Sequence, residues 1–512
     1  MTETSKDTKC ACESYVPVTQ GCSPPKRVRP VTKTDAYKLS MAEAGFPLRY
    51  ETFYYTHRKG GMNGWHYMPI DPKAFVKSAL PSKNQTADDY AYLDLHTYSV
   101  GAATRKAFSL ASEVEINAIP KGSWFYNREP AFSVSGASAV ASWLEPTALQ
   151  LHFVVQVATQ AKIWKLPAKM IATCEDERDL IVSTCEAVGC KPPEIEVHSD
   201  EFYEGILAKA KALVEAVGGN PDRIFEVGMR GVSCMAQHRI ALQAIKAVGI
   251  LRTSNIFLAQ ELGMIPVGTM GHEHPQRFGA DYPSYTTMRD RFPGFISYLP
   301  DTYDSIRSGI PAALKAIQER PDRKAGIRFD SEERIKNHYF YTITECLRLG
   351  LNPQLILESG WDLAKTIEFE QYREMMKWPA DQQSYGFGGY LVEPTWDSFT
   401  RDTVAAVWKL TQSGGKACMK FGDEANSGKQ SAPGFPMIFR PHPMEAVGSM
   451  PVGMIGQRGE EIPKHYCLTD SNSSVFTPDF KTPAIPPIYS PATQRLVDIC
   501  QANRQANFNI SL

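Results

Sequence analysis

The middle of this sequence predicts an α/β fold, most simply a barrel of parallel βα units. Short apolar runs alternate with segments of helical periodicity from about Arg223 to Gly389, the pattern that builds parallel sheets. Polar and charged residues collect just after the apolar runs, at the strand ends where such folds place their sites. An open doubly wound sheet is the alternative arrangement of the same units.

The elements follow in chain order. Residues 1–30 mix Thr, Ser, Lys, Cys and Pro and read as a disordered tail. Residues 31–195 read as an N-terminal α+β part. In it, Tyr50–His57 is an aromatic-rich strand running into the basic turn Arg58-Lys59-Gly60-Gly61, and Ile119–Pro130 and Ala131–Gly136 are short antiparallel strands. Residues 196–395 hold the barrel. Its strands are expected at Arg223–Met229, Gly249–Arg252, Met264–Gly268, Ala325–Phe329, Gln354–Leu357 and Ser384–Gly389. Helices are expected over Met235–Val248, Asn255–Leu262, Tyr303–Ile317 (with Pro311 kinking or restarting it), and up to about Leu351. Residues 396–512 return to turns and strands, with a Pro-rich tail after Thr477.

Composition narrows the function classes. The 512 residues carry 55 Lys+Arg against 56 Asp+Glu, a formal net charge of -1. That excludes a global basic field for nucleic acid or an acidic membrane. Hydrophobic residues make up 43%, which excludes wholesale disorder. The 11 cysteines are scattered, without a CxxC pair, and with a polar N-terminus they point to reduced thiols in the cytoplasm. Cys10-Ala-Cys12 is a weak soft-metal motif.

The strand ends carry the chemistry. In order they read Met229-Arg230-Gly231, Thr253-Ser254-Asn255, Thr269-Met-Gly-His272-Glu273-His274, Arg328-Phe-Asp330-Ser331, Glu358-Ser359-Gly360 and Gly386-Phe-Gly388-Gly389. Arginines supply bidentate donors, glycine turns and helix starts supply N–H groups, and Asp330 suits Mg²⁺ or ribose hydroxyls. The set fits an anionic, phosphorylated ligand. His272-x-His274 lacks a third ligand for zinc. Arg328 and Asp330 alternate along a strand and share a face, which serves an ion pair equally well.

These residues resemble, in order, the nicotinate phosphoribosyltransferase family. The resemblance is carried by Thr34-Asp-Ala-Tyr37-Lys-Leu-Ser-Met41, Glu226–Gly231, Thr253-Ser-Asn255, Gly268–His272, Asp301-Thr-Tyr-Asp304 and Gly326–Ser331. Ile119–Gly122, Asn127–Pro130, Glu145-Pro-Thr147, Val407–Leu410, Met419-Lys420 and Pro433-Gly434 extend it to about residue 440. The resemblance implies a type II phosphoribosyltransferase: an irregular α/β barrel with a smaller α+β domain formed from both chain ends, acting as a homodimer with shared active sites. It implies transfer of phosphoribose from phosphoribosyl pyrophosphate to nicotinate in NAD salvage, assisted by Mg²⁺ and coupled to ATP through a phosphohistidine. Residue by residue, it makes His272 the phosphorylated residue and Tyr37 a ring that stacks on the pyridine across the dimer interface. Thr269 and Ser254 face the nicotinate, Arg328 binds the ligand anion with Arg58 and Arg230 beside it, and Asp330 holds Mg²⁺ or ribose. Ser331 and the Gly386–Gly389 turn, through Gly388 and Gly389, take phosphate.

The sequence departs from the family where Ser331 is followed by Glu332-Glu333 instead of Gly-Asp, and where Gly389 replaces a usual threonine. The second change and Arg230-Gly-Val-Ser233 lean toward the nicotinamide branch. The alternatives are therefore a nicotinamide phosphoribosyltransferase and a family member that binds nucleotides without turnover. Ser254 separates the branches chemically: nicotinamide enzymes place an aspartate there, whereas a hydroxyl can donate to the nicotinate carboxylate.

Overall fold

The computed structural model describes residues 29–508 except 83–84, 269, 332–333, 397–398, 422–429, 443–450 and 481–483. Residues 1–28 of the expected tail with its Cys10-Ala-Cys12, the site candidate Thr269, and Glu332-Glu333 lie outside the described residues.

The barrel forms from seven parallel strands: β1 (Ile224–Glu226), β2 (Arg252–Thr253), β3 (Ile265–Pro266), β4 (Ile296–Tyr298), β5 (Ala325–Phe329), β6 (Gln354–Leu357) and β7 (Gln383–Phe387). The sheet order is β3-β2-β1-β7-β6-β5-β4. The last strand in the chain therefore pairs with the first, Phe387 opposite Glu226, and the strands run round the sheet in chain order. That is barrel winding with one seam open, between β3 and β4. All five residues of Gln383–Phe387 are buried, as expected for a strand covered on both faces.

The open seam is occupied by the helix Ala36–Ala44. Asp35 bridges Asn255, and the Ala36 N–H donates to the Ser254 carbonyl at 2.8 Å. Gly268, just after β3, must be glycine for this packing: a Cβ there would stand 2.4 Å from the Tyr37 nitrogen. The sequence thus delivers Tyr37 to the barrel mouth through backbone contact.

The second layer is a five-stranded antiparallel sheet ordered Lys416–Ala417, Val407–Ser413, Tyr50–Thr56, Phe132–Ala137, Glu115–Ala118. Tyr50–Thr56 pairs with Val407–Ser413, so the two ends of the chain build one sheet. A four-stranded sheet of Pro436–Pro441 and its neighbours follows. The helix Glu145–Lys162, buried along most of its length, runs between sheet and barrel.

Several elements differ from the sequence reading. The strand expected at Gly249–Arg252 falls at Arg252–Thr253, because Gly249 has φ +88° and still belongs to the helix exit. The helix expected over Tyr303–Ile317 splits into a π-turn, Ser305–Gly309, capped by Asp304, and an α-helix, Ile310–Glu319, with Pro311 in its first turn. Pro311 restarts the helix where its missing N–H costs nothing. The Pro-rich end carries a helix, Pro491–Ala506, whose N-cap Ser490 accepts from the Thr493 N–H.

Candidate functional site

The C-terminal strand ends meet under the antiparallel sheet and form two adjoining clusters. The first centres on His272. Its Nδ1 lies 3.2 Å from Thr302 Oγ1 and 3.6 Å from Asp301 Oδ1; its Nε2 lies 3.3 Å from Asp330 Oδ2. The Lys420 ammonium, arriving from the antiparallel domain, donates to Nε2 and lies 3.6 Å from Asp301 Oδ2. Ser331 donates to the same Asp301 oxygen at 3.0 Å. Burial pushes the imidazole down to about 4, against the opposing pull of Asp301. It is therefore neutral near pH 7, and the Lys420 donor assigns the lone pair to Nε2 and the proton to Nδ1.

Asp330 is held ionised. Burial would raise its carboxyl, but the Arg328 charge foremost, with His272 and Lys420 beside it, holds it well below the usual range. Ligand atoms of His272, Asp301 and Asp330 all lie within 4.8 Å of one another. Arg328 NH2 is 3.4 Å from Asp330, its Nε is 2.9 Å from Glu358, and its NH1 donates to the Met270 carbonyl at 3.0 Å. One guanidinium thus ties β5, β6 and the His272 loop together.

The second cluster surrounds Tyr37. Its hydroxyl donates to Glu145 at 2.5 Å, and the Arg230 guanidinium lies 5.6 Å from the ring centroid. Arg230 sits 3.5 Å from Asp35 and 3.9 Å from Glu145, while Lys38 bridges Glu145 and Glu273. Ser254 is buried and donates its hydroxyl proton to Asp35 at 2.7 Å. Burial pushes the Asp35 carboxyl up to about 6, with Arg230 opposing.

Basic groups of the antiparallel domain adjoin the clusters, with Lys409 close enough to feel the charges of Glu145 and Asp330. Burial pushes Arg58 down to about 10. Lys409, on Val407–Ser413, is pushed well below its ordinary value by burial and by the charges of Arg58 and Lys420. At the far side of the mouth, Gly386 leaves room for Glu358, where a Cβ would sit 2.5 Å from Glu358 Cγ. A Cβ on Gly388 would meet only the Val227 carbonyl, at 3.9 Å, whereas one on Gly389 would meet the Glu393 carboxylate at 2.7 Å.

The structure therefore brings together His272, Arg328, Asp330, Ser331, Tyr37, Arg58, Arg230, Ser254, Gly388 and Gly389 at one face. The site also contains Asp301, Thr302, Lys409, Lys420, Glu358, Asp35 and Glu145, which were not selected from the sequence as site residues. Lys409 and Lys420 come after the last barrel strand, so only their presence in Val407–Leu410 and Met419-Lys420 signalled them.

No family model matches the chain. Among curated relatives it is 24% identical over 247 residues to the nicotinate phosphoribosyltransferase of Bacillus subtilis, covering 46% of this chain and 47% of that one. It is 22% identical over 373 residues to nicotinate phosphoribosyltransferase 2 of Arabidopsis thaliana, covering 68% and 60%. A shorter stretch of 89 residues is 44% identical to the nicotinate phosphoribosyltransferase of Neisseria meningitidis, covering 16% and 22%. The matches to the Bacillus and Arabidopsis proteins thus span about half to three fifths of those relatives' length.

Among solved structures, the nicotinate phosphoribosyltransferase of Vibrio cholerae superposes with a TM-score of 0.52 at 16% identity, covering 79% of this chain and 90% of that one. That of Porphyromonas gingivalis gives 0.53 at 16%, covering 79% and 96%. Fold and site define a barrel-type α/β protein with a charged cleft at its C-terminal strand ends. More particularly, its curated homologues and its structural neighbours are nicotinate phosphoribosyltransferases, and it has their fold. No helix among the described residues is long and apolar enough to cross a membrane.

Proposed function

We propose that this chain is a nicotinate phosphoribosyltransferase, forming nicotinate mononucleotide and pyrophosphate from nicotinate and phosphoribosyl pyrophosphate, with ATP hydrolysis coupled through His272. The observation that carries the proposal is the meeting of a neutral, carboxylate-flanked histidine with the basic side chains Lys420 and Lys409 of the antiparallel domain. The cations suit a ligand with several phosphate charges. The carboxylates are spaced for a hard cation.

Phosphoribosyl transfer needs positioning and charge stabilisation more than proton transfer. The pyridine nitrogen is already a nucleophile, and departure of pyrophosphate leaves positive charge on the ribose. Lys409, Lys420 and Arg58 bind and stabilise the departing pyrophosphate in this reading. Asp301 and Asp330 would hold Mg²⁺, whose chemistry is to neutralise pyrophosphate charge; carboxylate oxygens are the ligands that ion prefers. The open Gly388 backbone receives the 5′-phosphate, and the Tyr37–Arg230 pair lines the pyridine end.

His272 adds the coupling. An unprotonated Nε2 is a competent phosphoryl acceptor, and Lys420 stands beside it to pair with the phosphate that arrives. The Nδ1 proton, donated toward Thr302, fixes the tautomer.

The test is turnover of the purified protein with phosphoribosyl pyrophosphate and each pyridine separately, with and without ATP. Nicotinate is converted, faster with ATP. Conversion of nicotinamide alone, or of neither pyridine, would overturn the proposal.

A further inference from the structure

Outside the charged cleft, two cysteines face each other. Cys174 Sγ and Cys234 Sγ are 3.6 Å apart, and both residues are buried. Each is the N-cap of a helix, Glu175–Ala187 and Met235–Lys246, and each has extended backbone. The two helix starts are built alike. The Glu177 carboxylate accepts from the Thr173 N–H at 3.1 Å, and the Gln237 carbonyl oxygen accepts from the Ser233 N–H at 2.6 Å. Each thiol is therefore presented by a capped, fixed turn.

Neither thiol has a part in the chemistry of the cleft, yet Cys234 ends the loop that carries Arg230. That loop is tight, with the Gly231 N–H donating to the Gly228 carbonyl at 2.7 Å. Gln150 holds it from outside by donating to the Met229 carbonyl at 3.2 Å. The two helix N-termini favour thiolate, and an S–H hydrogen bond from Cys234 lowers the Cys174 thiol further, against burial.

We propose that Cys174 and Cys234 are an oxidation site for a small peroxide, closing to a disulfide that displaces Arg230 from Asp35 and Glu145. The Cys174 thiolate attacks one peroxide oxygen, the O–O bond breaks, and hydroxide leaves and takes up a proton. The Cys234 sulfur then attacks the resulting sulfenic acid; the S–S bond forms, and the S–O bond breaks to release water carrying the Cys234 proton. Two thiols are oxidised by two electrons, and one hydrogen peroxide is reduced to two waters. A disulfide bond is about 2.0 Å long, so the sulfurs must approach by roughly 1.5 Å. The Ser233–Cys234 segment shifts with them and carries the Arg230 turn.

The consequence for turnover rests on the activity proposed above; the cross-link itself does not. The full-length protein is treated with hydrogen peroxide, digested without reduction, and mapped by mass spectrometry. A peptide pair joined through Cys174 and Cys234, lighter than the two free thiols by about 2 Da, is expected and is released by dithiothreitol. Turnover of nicotinate falls by up to about a hundredfold, the scale of an ångström-level misplacement, and returns on reduction. Cys174→Ser and Cys234→Ser retain basal turnover and resist peroxide. Absence of the linked peptide overturns the proposal, as does a linked protein with unchanged turnover or a Cys174→Ser protein that peroxide still inactivates. If the untreated protein converts no pyridine, the activity reading fails while the linked peptide still decides whether the oxidation site exists.

Discussion

Arg328→Ala removes a guanidinium that touches three partners: Glu358 at 2.9 Å, Asp330 at 3.4 Å and the Met270 carbonyl at 3.0 Å. Its side chain is 8% exposed and that of Glu358 5%, so the pair is buried. Truncating one member of such a pair leaves a stranded charge and costs about 3–5 kcal/mol of stability. Part of that loss is relieved by protonation, since burial already pushes the Glu358 carboxyl up. The variant's deficit should therefore shrink as pH falls. Arg328→Ala with Glu358→Gln removes the stranded carboxylate and should recover at least about 1–2 kcal/mol. Turnover separates structure from function. If Arg328 also serves the ligand anion, kcat/KM falls by about 2–5 kcal/mol equivalent in the single variant and stays low in the double variant. Arg328→Lys does not restore it, because an ammonium lacks the planar fork that spans Glu358, Asp330 and the Met270 carbonyl. The assays are the urea midpoint and steady-state kinetics on the same preparations. A double variant that regains both stability and turnover would refute a ligand role and leave Arg328 as an ion-pair partner.

Other outcomes follow from the same geometry. His272→Ala should abolish ATP hydrolysis while keeping slow transfer, measured as phosphate release against nucleotide formed; unchanged coupling would exclude His272 as the carrier. Lys409→Met removes a desolvated cation, so the thermal midpoint should hold or rise while KM for phosphoribosyl pyrophosphate rises at least about tenfold; a lower midpoint with normal KM would contradict this. Ser254→Asp would set a second carboxylate against Asp35, which Ser254 contacts at 2.7 Å, so Ser254→Asp should lose both fold stability and nicotinate turnover. Ser254→Ala isolates selectivity through the ratio of nicotinate to nicotinamide kcat/KM, and an unchanged ratio would remove Ser254 from pyridine choice. His272 and His66 are both depressed to about 4, mainly by burial. Groups whose folded pKa is depressed lose their stabilising contribution as pH falls through the folded value, so urea midpoints should drop between about pH 6.5 and 4. Asp281, raised to about 8 by burial, works in the opposite sense as pH rises.

The parts of the fold legible in the sequence were those with strong local signals. Ala325–Phe329 and Gln354–Leu357 are buried apolar runs bounded by turns, and they form as read. The packing of Ala36–Ala44 at the seam was not legible, because it depends on Gly268 meeting the backbone of Tyr37, a contact between residues far apart in the chain. Glu145–Lys162 is apolar on nearly every side and shows little amphipathic rhythm, so its helix was hidden. The strand-end rule located His272, Arg328 and Asp330. It said nothing of Lys409, which comes from a strand of the other domain and meets the cleft only through the pairing of Val407–Ser413 with Tyr50–Thr56. Ser254 was read as facing the ligand; its hydrogen bond to Asp35, a partner brought in by the seam helix, was not foreseen.

The proposed transfer of phosphoribose to nicotinate at this barrel mouth can be followed by ³¹P NMR of a single reaction. Purified protein, Mg²⁺, phosphoribosyl pyrophosphate and nicotinate are followed with and without ATP. Nicotinate mononucleotide and pyrophosphate are expected in equal amounts, faster when ATP is consumed. Pyrophosphate released without nucleotide, or no loss of the donor at all, would contradict it.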